Sequence, residues 1–363
     1  MSAAAEIAAA SSVILLERES QPGYHSTGRS AAMFVATYGP PPVRALSAAA
    51  RPFLDAPPDR FADHPLLTPR AVLAIGREDQ AATLAQMVAD AAAEGTVVEA
   101  LTPEAALRRV PALRPGYVAG AVLEPDASDI DVHALHHGYQ RMLRGRDGQL
   151  FTDAEVERIE WTGGHWQVFT RRGRFEAGVL IDAAGAWADG VARLAGVEPV
   201  GLTPKRRTAI TFDPPEDMPT AGWPLVLDCD EQFYFKPEGG RILASPADAT
   251  PVEPCDVQPE ELDVAVTVDR VQTATTLPVA RITHRWAGLR TFPPDGVPVA
   301  GWDDGRDAFF WLAGQGGYGI QTAPALARLA AALARQKPLP AEIVDRGVEA
   351  ADLSPRRLRK GTR

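Results

Sequence analysis

Cysteine is nearly absent. The 363 residues hold only Cys229 and Cys255, and their spacing suits no metal site, so no bound metal is expected. The two could pair, but a reducing, cytoplasmic compartment is the simpler expectation. No apolar stretch reaches the length of about 18 residues that a membrane-spanning helix needs. The alanine-rich start carries Glu6 and no basic cluster, which argues against a signal peptide. Basic residues are in deficit: 37 Lys and Arg against 47 Asp and Glu leave a net charge of −10, which disfavours a nucleic-acid partner or an anionic membrane surface. Glycine is missing from Met1–Ser12, although 31 glycines occur in the chain.

The missing glycine matters because of the residues just after it. Val13-Ile-Leu-Leu16 is an apolar run closed by Glu17, and then comes the polar turn Gln21–Ser30. A buried strand ending in a carboxylate is how a dinucleotide-binding βαβ unit ends, the acid accepting hydrogen bonds from a ribose diol. The glycine-rich phosphate loop of such a unit lies about 20 residues before the acid. Here sixteen residues precede Glu17, so Ser2–Ala10 reads as the end of the unit's helix and the first strand is expected to be lacking.

A length of 363 residues predicts one large or two interleaved domains, and 45% hydrophobic with 23% charged residues is ordinary for a globular chain. Helices are expected over Pro41–Leu54, Asp79–Glu94, from Thr102-Pro-Glu104, over Asp131–Arg144 and over Thr322–Arg335, several with N-cap or proline signals. Leu66–Arg77 reads as a strand region. Val156–Trp161 and Trp166–Thr170 flank Thr162-Gly-Gly-His165, a hairpin signal. Phe175–Asp182 and Phe309–Ala313 read as apolar strands, and Thr208–Thr283 is rich in strands and prolines. The pattern is α/β at the start, middle and end, with antiparallel β insertions.

Three glycine-bearing turns come after apolar strands: Gly23–Ser30, the turn at Gly185, and Gly314–Gly319. Glycine there lets backbone N–H groups approach a ligand closely. Spread over the chain, the three suggest one extended cofactor.

The segments Leu16–Ala32, Tyr38-Gly39, His64-Pro-Leu-Leu67, Pro204-Lys-Arg-Arg207, Phe233-Tyr234, Ser245-Pro246, Trp286-Ala-Gly-Leu-Arg290, Gly314–Thr322 and Leu353–Arg357 together resemble the flavin-dependent D-amino-acid oxidase superfamily, with its glycine oxidase and sarcosine oxidase-like fold. Within it the chain is most similar to the bacterial FAD-dependent D-arginine dehydrogenases. The resemblance implies a discontinuous Rossmann-like FAD domain (1–65, 130–208 and 286–363) and an antiparallel-sheet substrate domain (66–129 and 209–285). It implies FAD bound non-covalently. Glu17 and Arg18 would meet the adenosine ribose, and Ser26, Thr27, Gly28, Arg29, Ser30, Ala31, Ala32 and Met33 would run along the pyrophosphate and flavin. Val156 would contact the adenine end, Gly185 a further turn, and Gln315, Gly316, Gly317, Tyr318, Gly319 and Ile320 the flavin's pyrimidine edge.

For catalysis, the resemblance implies Arg290 as a bidentate carboxylate clamp, Tyr38 and Tyr234 closing the pocket, Arg207 assisting, and the Gly317 carbonyl orienting the amine. The implied reaction is oxidative deamination of a D-amino acid by hydride transfer from Cα, with oxygen or a quinone-type acceptor reoxidising the flavin. N-methyl, imino or 2-hydroxy acids are alternative substrates, and a flavin-free remnant with a binding role is the alternative from another class. Two departures bear on specificity. Val72 stands where the D-arginine dehydrogenases have an acid for a cationic substrate side chain, and Met33 stands where they have histidine. A preference for apolar side chains is therefore expected.

Overall fold

The computed structural model describes residues 1–359. One half is organised by the period of two along β-strands, which sends alternate side chains to opposite faces. Eight strands form one sheet, in the order Ile282–Phe292, Thr203–Phe212, Arg241–Ser245, Tyr234–Glu238, Leu225–Asp228, Val72–Gly76, Gly120–Glu124, Glu99–Leu101. Paired residues share a face, so the register sorts the whole sheet. Ile210 pairs with Ala244, which pairs with Phe235; these join Phe212, Ile242, Val226 and Leu73 in a core closed by Val264 and Val271 of the helix Glu261–Ala274. Each such fully buried side chain contributes roughly 2 kcal/mol of transfer free energy.

The opposite face carries a different set. Lys205 pairs with Arg290, Arg207 with Gly288, and Ala209 with Trp286. Tyr234 pairs with Ser245 and Leu227, Leu225 with Val72, and Val72 with Glu124. All of these therefore look out from the same side of the sheet.

The other half contains two short parallel pairs. Ile14–Leu16 lies beside Gln149–Phe151, and Leu180–Asp182 beside Phe309–Ala313, which in turn pairs antiparallel with Val299–Trp302. These two groups form separate sheets among the described residues. The apolar helix Gly319–Ala334 packs through Ala325 and Leu329 against Ala3 of the helix Ser2–Ile7 and against Leu46 and Ala49 of the helix Pro41–Asp55.

Most expected elements are present. Thr102 and Asp131 cap their helices through bonds from Ala105 N (3.3 Å) and Ala134 N (2.7 Å). Gly163 and Gly164 take φ of 63° and 85°, the positive values a tight hairpin turn requires. Several details differ. The large sheet is mixed, because Leu225–Asp228 and Val72–Gly76 run parallel. Phe175–Asp182 is two strands rather than one: Gly173–Ala177 pairs with the hairpin, whereas Leu180–Asp182 enters the parallel sheet. The helix expected from Thr322 starts three residues earlier, at Gly319. The expected boundaries at 208 and 286 both fall inside strands of the large sheet.

Asp182 ends its strand 2% exposed. Its Oδ1 accepts the Ala184 N–H at 3.1 Å, but its Oδ2 has no partner among the described residues, and burial pushes its carboxyl up to about 8 from an ordinary 3.8. Between those pH values the native chain holds a proton that the unfolded chain has released. This group's contribution to stability therefore falls as pH rises, by up to about 1.4 kcal/mol per pH unit. Asp182→Asn should lose less melting temperature than the wild type between pH 5 and 8. Parallel losses in the two proteins would show that Asp182 is ionised throughout.

Candidate active site

Three strands of the large sheet, one irregular segment and one glycine turn meet on the sheet's open face. Arg290 projects from Ile282–Phe292, and its Nη1 donates to the Tyr38 hydroxyl at 3.1 Å. Tyr38 lies just beyond the short strand Met33–Phe34 and packs edge-on to Tyr318, ring centroids 5.1 Å apart. Gly317 closes the group: a Cβ there would stand 2.9 Å from the Tyr38 hydroxyl and 3.0 Å from Arg290 Nη1. Only glycine leaves this backbone open to a ligand lying against the arginine.

The charges are arranged around that point. Tyr234 is 7% exposed, on the same face as Arg290 and Arg207. Burial alone would raise its phenol's pKa, but the Arg290 and then the Arg207 guanidinium outweigh it and hold it below the ordinary tyrosine value. Burial likewise opposes the charge on Arg290, and the Tyr38 and Tyr234 oxygens outweigh it, leaving that guanidinium more basic than usual. Tyr318 is pushed up to about 12, chiefly by burial. No ion pair among the described residues holds Arg290. Its neighbour across the sheet is different: Arg206, on the opposite face, is bonded to Glu260 and pairs with Asp263 (2.9 Å) and Asp248 (3.7 Å). Arg207 donates through Nε to the Asp248 carbonyl at 2.7 Å.

The residues expected to hold a cofactor fall into two patches. In the first, Ser26 donates to the Leu289 carbonyl at 2.6 Å, and Gly28 N to Gly23 O at 2.8 Å closes the turn around Thr27. Arg29 bonds to Asp256 (2.5 Å) and to the Ala287 carbonyl (2.9 Å), so its side chain ties the turn to the sheet. Ser30 Oγ accepts the Ala32 N–H at 3.0 Å, while Ala31 and Met33 pack with Val72 and Tyr234. Gln315 bonds to the Leu312 carbonyl (3.2 Å), Gly316 N to Thr291 O (2.9 Å), and Gly319 and Ile320 open the helix Gly319–Ala334. In the second patch, Glu17 accepts the Glu19 N–H at 3.0 Å, and Arg18 pairs with Glu155 beside Val156 and lies 4.7 Å over Trp187, in the turn begun by Gly185. His25, 4.8 Å from Trp187, links the patches.

These features fit a flavin. The Gly314–Gly319 turn presents backbone N–H groups and the positive end of the helix Gly319–Ala334, which favours an anionic ring edge. Gly316, at φ 54°, could bear no side chain, since a Cβ would fall 2.3 Å from Phe292.

The chain belongs to the FAD-dependent oxidoreductase family known as DAO, whose family model matches residues 1–333, and its cofactor is FAD. It is 30% identical over 199 residues to FAD-dependent oxidoreductase domain-containing protein 1 of Xenopus laevis, covering 49% of this chain and 37% of that protein. The Bos taurus protein of the same name is 26% identical over 306 residues, covering 72% of this chain and 61% of that protein. The chain thus spans less than two thirds of the length of these relatives. Among solved structures it is similar to glycine oxidase from Geobacillus kaustophilus, with a TM-score of 0.81, 22% identity, and coverage of 93% of this chain and 92% of that one. That likeness concerns the fold.

The structure adds residues that sequence reasoning passed over. Glu124, Thr37 and Gln321 all bond within or to the segment that carries Tyr38. Tyr318, expected along the flavin, also packs on Tyr38. Gly317→Ala should displace Tyr38 and Arg290 and raise KM roughly tenfold or more, as overpacking by one methyl costs about 1–3 kcal/mol. Steady-state kinetics on the flavin-loaded variant would measure it, and an unchanged KM would mean that no ligand uses this opening.

Proposed function

We propose that the chain oxidises D-amino acids to 2-oxo acids and ammonia, with apolar side chains preferred to cationic ones. The observation that carries this reading is the Arg290 guanidinium: recessed, flanked by two phenols, facing a glycine, and held by no ion pair among the described residues. A recessed cation of this kind is completed by a carboxylate, which its planar fork binds through two parallel hydrogen bonds. Bound FAD supplies a hydride acceptor, its N5 atom, for this chemistry.

The protein's own task is then positional. Arg290 holds the substrate carboxylate, and the Tyr38 and Tyr234 hydroxyls close on it from either side. Arg207 adds positive charge, and the Gly317 carbonyl accepts from the amine. Together they present the Cα–H in one orientation and exclude water while the hydride leaves. Loss of hydride turns the neutral amine into an iminium ion, and water then adds to its carbon and releases the 2-oxo acid and ammonium. The reacting amine must first lose its ammonium proton, so the rate should rise with pH.

Side-chain preference comes from the apolar lining. Val72, Leu225 and Leu243 are buried in one cluster with Met33, Val35 and Leu227. Glu124, directly across from Val72, has both carboxylate oxygens occupied by Ala36 N and Thr37 Oγ1. A cationic side chain buried in this cluster would find no free carboxylate among its lining residues, and Glu231, whose charge reaches Arg290 and Tyr318, is itself exposed. The D configuration rests on the resemblance of the Tyr38, Arg207, Tyr234 and Arg290 set. A cytoplasmic setting is supported by two unpaired cysteines.

Turnover should be measured with D-leucine, D-methionine, D-phenylalanine and D-arginine, their L forms, and N-methyl and 2-hydroxy analogues. A preference of tenfold or more for D-arginine sinks the apolar reading, and one for an N-methyl or 2-hydroxy acid moves the substrate class. Peroxide formation separates oxygen from a quinone-type acceptor. Arg290→Lys, which keeps charge and loses the fork, should lower kcat/KM by roughly 30- to 100-fold. Retained kcat/KM in this variant would remove Arg290 from the carboxylate site.

A further inference from the structure

The segment between the strand Met33–Phe34 and the helix Pro41–Asp55 carries Tyr38 but belongs to no sheet or helix. Its first residues are nevertheless held by two buried side chains, which take the Val35 amide and carbonyl, the Ala36 amide and the Thr37 hydroxyl. From the helix Gly319–Ala334, Gln321 accepts the Val35 N–H at 3.1 Å and donates to the Val35 carbonyl at 3.3 Å and to Ser47 Oγ at 2.7 Å. From the end of the strand Gly120–Glu124, Glu124 Oε1 accepts the Ala36 N–H at 2.6 Å and Oε2 accepts the Thr37 hydroxyl at 2.6 Å. Glu124 is 4% exposed and Gln321 2%. The Tyr38 N–H turns back onto the Val35 carbonyl at 3.3 Å, so the ring departs from a backbone pinned one and two residues earlier.

We propose that Glu124 is a positioning residue that fixes Tyr38 against Arg290 by anchoring Ala36 and Thr37 to the roof of the pocket. The inference rests on the reading of Tyr38 and Arg290 as ligands of a substrate carboxylate. Its physical basis is that a carboxylate accepting two short hydrogen bonds in a buried site makes a strong, directional anchor. Both donors lie on the Tyr38 segment, and the acceptor lies on the sheet that carries Arg290. Burial pushes the Glu124 carboxyl up, and the Thr37 hydroxyl and the Ala36 and Thr37 amides pull against that. Gln321 holds the same segment to the cofactor side, so Tyr38 is tied to both halves of the molecule at once.

Thr37 allows a test that leaves the buried carboxylate in place. Thr37→Val removes one donor, Thr37→Ser restores it, and Glu124→Gln removes the charge while keeping the shape. On the FAD-loaded protein, amide hydrogen exchange over residues 33–40 should be faster in Thr37→Val and Glu124→Gln and should return to the wild-type rate in Thr37→Ser. In the best substrate of the amino-acid panel, KM should rise roughly tenfold in the first two variants with kcat changed less than threefold, and Thr37→Ser should restore KM. Tyr38→Phe combined with Thr37→Val should raise KM no further than the larger single change, because a mispositioned hydroxyl and a missing one are the same loss. Unchanged exchange over 33–40 overturns the anchoring. Faster exchange with KM within twofold of wild type, or additive KM effects in the double variant, overturns the positioning of Tyr38. A wild type that turns over none of the acids overturns the substrate reading instead, and the exchange arm still decides the anchor.

Discussion

A guanidinium recessed beside two phenols, and held by no ion pair among the described residues, is the constraint around which the site is arranged. Charge removed from water is costly unless something completes it. Arg206 and Arg207 show the alternative from one strand: Arg206, turned to the opposite face, is saturated by three acids, while Arg207 keeps its charge on the open side. The open face thus concentrates positive potential at Arg290 and Arg207 and lowers the Tyr234 pKa despite burial. An anion entering there meets donors already in place, which is the sense in which such a pocket is preorganised.

Much of this architecture is legible in the chain. The helix caps at Thr102 and Asp131, the Gly163-Gly164 turn and the buried strand Phe309–Ala313 arise from local chemistry that a single sequence displays. The fold class is legible through resemblance, because long motifs of mixed residues carry more information than glycine spacing; the same motifs single out Arg290, Tyr234 and Gly317, which the structure brings together. Strand pairing is less legible. Phe175–Asp182 is continuously rather apolar, yet its two ends join different sheets, and the break at Gly178 is decided by partners far along the chain.

Glu124 is invisible in the sequence for a related reason. It precedes Pro125-Asp126 and reads as an exposed acid at a turn, and only the register with Val72 turns it inward. Gln321 stands inside a motif whose glycines carry the stronger local signal. Both are buried polar groups whose partners lie more than eighty residues away, and such long-range satisfaction has no local signature. Thr37 shares the difficulty, since a threonine beside a tyrosine is ordinary until its hydroxyl finds Glu124.

The strand Ile282–Phe292 has one more consequence. Arg290 is succeeded by Thr291, whose carbonyl receives the Gly316 N–H at 2.9 Å, and by Phe292, which packs under Gly316. Clamp and glycine turn are therefore joined by two residues and one backbone bond, with no hinge between them. The strand acts as a molecular ruler. On the proposed reading, this short path of backbone and one hydrogen bond sets the spacing from a bound carboxylate to the ring edge at Gly314–Gly319, however the rest of the pocket breathes. Such a ruler is indifferent to the side chain and strict about the backbone of its substrate. For the amino acids proposed as substrates, an α-substituted acid would bring its α-carbon to the reacting distance, whereas one inserted methylene, as in a β-amino acid, would put the wrong carbon there.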